Sequence, residues 1–139
     1  MTNAILAPTM VLMLITVLVW LCLFLRRLTE IQSLKLDPQE FSTPEKLAQH
    51  LSERAQAPNN CLKNLCELPV LFYALVAFLL ITQSVDALYI NLAWAFVALR
   101  ALQAAVHCTY NRVPHRFFAF LVGSLVLWVM VIRFALSVI

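Results

Sequence analysis

The sequence predicts an all-α integral membrane protein, a four-helix bundle with a long polar loop between the first and second helices. Two observations carry that expectation. Hydrophobic residues make up 63% of the 139 and charged residues only 12%, about half the quarter found in soluble domains. Four apolar runs also approach or exceed the roughly 20 residues that a hydrocarbon core requires. The length allows a single four-span domain, residues 1–139, and no separate soluble module.

The first predicted span, 4–25, carries no charge. No basic residue precedes it, it is too long for the apolar core of a secretory leader, and no small-residue cleavage site follows. It therefore reads as a transmembrane helix. The second span is 62–82, the third 87–108 and the fourth 117–137. Backbone left unpaired in lipid costs several kcal/mol per group, so each span must be helical.

The connectors differ. Arg26 to about Pro58 is polar and contains FSTPEKLAQHLSERA, in which Ser42 or Thr43 can cap and Pro44 suits a first turn. Glu45 can complete a capping box. Leu47, Leu51 and Ala55 would then share one face of a short amphipathic helix lying on the membrane surface. TQSVDA is a turn, and TYNRVPH is a turn punctuated by Pro114.

Lys and Arg concentrate in the first loop (Arg26, Arg27, Lys35, Lys46, Arg54, Lys63) and the third (Arg112, Arg116), and are absent from the second. The positive-inside rule therefore puts loops 1 and 3 in the cytoplasm.

Several function classes drop out. One glycine cannot build a phosphate loop or a dinucleotide fingerprint. Basic residues at helix ends form no stripe for nucleic acid. Cys22, Cys61, Cys66 and Cys108 contain no close ligand pair, so no metal is expected, and the cysteines read as small apolar filler.

The chemistry lies in charges sunk into the apolar runs, which point by default to a site facing the bundle interior. On the second helix Asn60, Asn64 and Glu67 step by four and three, which is one face, and Lys63 beside them can snorkel to the headgroups. On the third, Arg100, Gln103, His107 and Tyr110 step by three, four and three. A Glu67–Arg100 ion pair joining the helices and a ligand groove both fit these depths, and neither excludes the other. Arg116 opens the fourth helix, where a cation opposes the macrodipole; a guanidinium at a helix start is the makings of an anion site.

NNCLKNLCELPVLFYAL and LRALQAAVHCTYNRVPHRFFAF resemble the membrane-associated proteins in eicosanoid and glutathione metabolism, above all their small bacterial members. The resemblance covers nearly the whole chain. It implies a homotrimer in the bacterial inner membrane, with glutathione as co-substrate bound between subunits near the cytoplasmic face. It further implies a glutathione transferase or peroxidase-like activity toward a small apolar electrophile that arrives through the lipid bilayer. Asn64, Glu67 and Arg100 fit the family's glutathione residues, and Arg116 its thiolate-stabilising arginine. Two positions depart: Asn60 stands where an arginine is expected, with Arg54 farther upstream. His107 stands where several members carry a tyrosine, with Tyr110 one turn later. The alternative is a non-catalytic member that holds a lipid or another anionic amphiphile on the same scaffold.

Overall fold

A computed structural model describes residues 2–35 and 37–139. Its order is a 3-10 turn (Thr2–Ile5), α1 (Leu6–Leu34), a second 3-10 turn (Pro38–Phe41), α2 (Pro44–His50), α3 (Glu53–Ile81), α4 (Ala87–Cys108) and α5 (Val113–Val138). Helices α1, α3, α4 and α5 are each long and apolar enough to cross a membrane. They form the four-helix bundle.

The segment expected as a long polar loop is largely helical. Arg26, Arg27 and Glu30 end the apolar run but belong to α1, which continues to Leu34. Ser52 caps α3 by accepting from Ala55 N, so that helix begins at Glu53. Each of these helices has 29 residues, about 43 Å at about 1.5 Å per residue. A hydrocarbon core is about 30 Å thick, so both reach well into the headgroup layer. Glu30 ties the two extensions together: its carboxylate accepts from Ser52 N at 2.5 Å and Ser52 Oγ at 2.8 Å.

Between them α2 is capped by Thr43, whose Oγ1 accepts from Lys46 N at 3.3 Å. With Thr43 as the cap, the third helical position is Lys46, so Glu45 cannot close a capping box. The expected amphipathic face also breaks up. Leu51 is the C-cap of α2 and Ala55 lies on α3, leaving Leu47 alone on the short helix.

Proline inside α3 has a consequence for Arg26. Pro58 has no N–H, so the carbonyl of Arg54 loses its partner four residues on. Arg26 Nη1 donates to that oxygen at 3.1 Å, and Nη2 donates to the carbonyl of Cys108, at the end of α4, at 2.6 Å. One guanidinium thus satisfies a carbonyl orphaned by proline and another orphaned by a helix terminus. It clamps α1, α3 and α4 at the end of the bundle where the α4–α5 turn also lies.

The core is apolar: Leu12, Phe72, Leu79, Ala93, Phe96, Leu127 and Met130 are fully buried. Gly123 lets α5 pack closely on α4: a Cβ there would lie 3.5 Å from Leu99 Cβ and 3.8 Å from Arg100 Nε. The outer surface is also apolar; Trp20, Trp94 and Trp128 are exposed on it, as suits helices that meet lipid.

The opposite end is closed by an ion pair. Arg133, near the end of α5, donates to both oxygens of Asp86 at 3.0 and 2.5 Å. Asp86 also caps α4, accepting from Tyr89 N at 2.9 Å. The Arg133 hydrogen bond, aided by that backbone bond, holds the Asp86 carboxyl down at about 2. The unfolded value is about 3.9, so the pair stabilises the fold fully above that pH and loses its effect as pH falls through about 2. Both side chains are partly exposed, which keeps the contribution modest. The thermal midpoint of detergent-solubilised protein is expected to fall between about pH 4 and pH 2, and to fall less in Asp86→Asn. Superimposable pH profiles for the two would remove this role from the pair.

Candidate functional site

At the clamped end, α3, α4 and α5 enclose a groove of about 400 Å³. Helix α3 contributes Asn60, Lys63, Asn64 and Glu67; α4 contributes Gln103 and His107; α5 contributes Val113, Arg116, Phe117 and Phe120. The wall on α3 is wholly polar because the three- and four-residue steps keep those side chains on one helix face. The wall on α5 is apolar apart from Arg116. Asn60, Asn64, Glu67, His107 and Arg116 therefore come together in one cavity.

Arg100 and Tyr110 do not line it. Arg100 is buried behind the floor, 1% exposed. Its guanidinium lies between the Phe96 and Phe120 rings, 5.0 and 5.1 Å from their centroids. The Glu67–Arg100 ion pair that the sequence allows is not formed. Arg100 Nη1 donates to Gln103 Oε1 at 2.8 Å and Nη2 to Ser124 Oγ at 3.5 Å, while Glu67 is exposed toward the groove. The depths are compatible, but the i+3 neighbour on its own helix and the α5 hydroxyl are nearer partners for Arg100.

Tyr110 leaves the stripe for a different reason. Helix α4 ends at Cys108, so the helical spacing that would align Tyr110 with His107 stops two residues short. Tyr110 is exposed and its hydroxyl meets His115 Nδ1 at 3.0 Å. The two sit at the mouth of a separate, apolar groove lined by Leu102, Val106 and Phe118.

Arg116 lines the groove and forms no ion pair among the described residues. It lies in the first turns of α5, whose N-terminus has no side-chain cap, so backbone N–H groups there remain free to donate. Pro114 sits in that first turn, where its fixed φ suits a helix start, and does not end the preceding turn as expected. The guanidinium donates to Asn111 Oδ1 at 2.7 Å. That partner orients Arg116 without neutralising it.

Two groove residues were legible in the sequence but not assigned to the site. Gln103 stands on the same stripe as Arg100 and His107. Lys63, read as snorkelling, lines the groove one turn from Asn60 and Glu67. Arg26 is not free to serve as a further anion contact, because both its terminal nitrogens are committed to backbone carbonyls.

These features define a multi-pass membrane protein with a polar, cation-bearing groove at one end of a four-helix bundle. The MAPEG family model matches residues 5–136, and the chain belongs to that family, whose membrane proteins act in eicosanoid and glutathione metabolism. No curated protein and no solved structure matches the chain.

Proposed function

We propose that the groove binds glutathione and that the protein conjugates its thiolate to a small apolar electrophile. The observation that carries this reading is the single cavity shared by Asn60, Lys63, Asn64, Glu67, His107 and Arg116. Glutathione is an extended tripeptide with an ammonium group, two carboxylates, two amides and a thiol. From Asn60 to Glu67 α3 rises about 10 Å at about 1.5 Å per residue, a length that suits such a peptide. Glu67 receives the ammonium group, Lys63 a carboxylate, and the Asn60 and Asn64 amides the peptide bonds.

Arg116 acts on sulfur. A free thiol titrates near 8.5, so only a few per cent is thiolate at neutral pH. A fixed cation beside it favours the charged form. His107, at the groove floor, supplies a hydrogen bond. The thiolate sulfur forms a bond to the electrophilic carbon, the leaving group departs with its electron pair, and the thiol proton passes to water. Val113, Phe117 and Phe120 form the apolar wall against which an electrophile from the bilayer would lie.

In this reading the protein works as a homotrimer in a bacterial inner membrane, loops 1 and 3 in the cytoplasm, where glutathione is plentiful. Arg100 supports the groove from behind, and Tyr110, paired with His115 outside the groove, makes no contact with the ligand. The same apolar wall favours a second reading, a non-catalytic member that holds an anionic amphiphile. Calorimetric titration of detergent-purified protein with glutathione, beside a spectrophotometric conjugation assay with 1-chloro-2,4-dinitrobenzene, separates the two. Saturable binding with turnover supports the transferase; no saturation at millimolar glutathione removes it.

A further inference from the structure

Arg100 carries a buried positive charge with no carboxylate within ion-pair distance among the described residues. A cation taken out of water without a counter-ion is expensive. The two aromatic faces and the hydrogen bonds to Gln103 and Ser124 offset part of that cost, yet the Nε atom has no partner. The charge is thus only partly compensated, and Gln103 stands between it and the groove.

The chemistry of the two side chains fixes how Gln103 is turned. A guanidinium can only donate, so the atom that Gln103 presents to Arg100 must be its carbonyl oxygen. Its Nε2, with two N–H donors, is then directed away from Arg100. Gln103 is 4% exposed and lines the groove, and among the described residues no hydrogen bond uses that nitrogen. One turn along, His107 is 3% exposed and its Nδ1 is also without a partner. Two buried polar side chains with unused capacity therefore share the floor of one cavity.

We infer that Gln103 is the ligand-contacting donor of an anion subsite at the groove floor, and that Arg100 is a positioning residue acting through it. The subsite takes an anionic oxygen or sulfur of the bound molecule. Arg100 locks the amide with its donors toward the ligand and adds the field of an uncompensated cation behind them. No carboxylate is needed to hold Arg100, because the bound anion completes the balance of charge. The inference deepens the glutathione reading and rests on it for the identity of the ligand, but not for the anionic group.

The experiment compares wild type with Gln103→Glu and Gln103→Met in detergent, titrating each with glutathione, with the thiol-free tripeptide γ-glutamyl-alanyl-glycine, and with decanoate. Gln103→Glu keeps the shape and the bond to Arg100 but removes the donor and neutralises the cation. Gln103→Met keeps the volume and offers no donor. Both are expected to weaken anion binding at least tenfold, while the thermal midpoint of Gln103→Glu stays level or rises. A purely structural Gln103 would lower the midpoint and leave affinity alone.

Glutathione weakened and the thiol-free peptide unaffected assigns the subsite to sulfur; both weakened assigns it to a carboxylate. Decanoate bound and weakened by the variants, with no glutathione binding, ends the glutathione reading and sustains the subsite. Affinities within about twofold of wild type in both variants, or no saturable binding of any of the three to wild type, overturn the inference.

Discussion

Arg116→Ala is expected to lower kcat/KM for glutathione conjugation by about 10²–10³-fold, the usual result of removing a fixed charge or donor aimed at developing negative charge. Arg116 has the properties the role requires: it borders the groove, lies near free N–H groups of α5, and is oriented by a neutral partner, Asn111. Arg116→Lys should recover part of the activity, since it keeps the charge but loses the planar fork. The side chain is only half buried, and its one hydrogen bond is to Asn111 in the adjoining turn, so elution volume and thermal midpoint should be unchanged. Activity in Arg116→Ala above about a third of wild type would remove Arg116 from the chemistry.

The largest effect on stability is expected at Phe72. Its ring is fully buried and lies 4.9 Å from the ring of Phe96, which in turn packs on Arg100. In a water-soluble core Phe→Ala costs about 3–5 kcal/mol. A bilayer changes the reference, because helices separated in lipid remain in an apolar solvent and the transfer portion is largely absent. The cavity portion remains. Removing roughly 100 Å³ at about 24 cal/mol per Å³ leaves a cost on the order of 2 kcal/mol. Unfolding by SDS titration in mixed micelles should register this as a lower midpoint in Phe72→Ala. A midpoint equal to wild type would mean that the bundle closes over the gap, and that the Phe72–Phe96–Arg100 stack does not support the groove floor.

Much of the bundle was legible in the sequence because hydropathy reports directly on what lipid will accept. It reports less well on where a helix ends. The apolar run stops at Arg26, yet the hydrogen-bond ladder of α1 continues to Leu34 in the headgroup layer, where charged side chains meet no penalty. The start of α2 is legible in Thr43 and Pro44, but that of α3 is set by Ser52, and a capping side chain has no hydropathic signature. The groove was legible in part. Three- and four-residue spacing on α3 was enough to align Asn60, Asn64 and Glu67, since the helix runs unbroken through them. The same rule failed at Tyr110 because the helix had ended. It also could not tell the residue that lines a cavity from the one packed behind it, which separates Gln103 from Arg100. The partner of Arg100 is decided by distances of a few ångströms between helices, and spacing along one helix does not contain them.

The clamp at the groove end links two positions that are far apart in the chain. Arg26 is required at Arg54 only because Pro58 leaves an oxygen there without a donor. An N–H restored at position 58 would compete for that oxygen and release half of the guanidinium from its task. The effects of changing Arg26 and Pro58 are therefore non-additive, and the tolerance of either site to substitution depends on which residue already occupies the other.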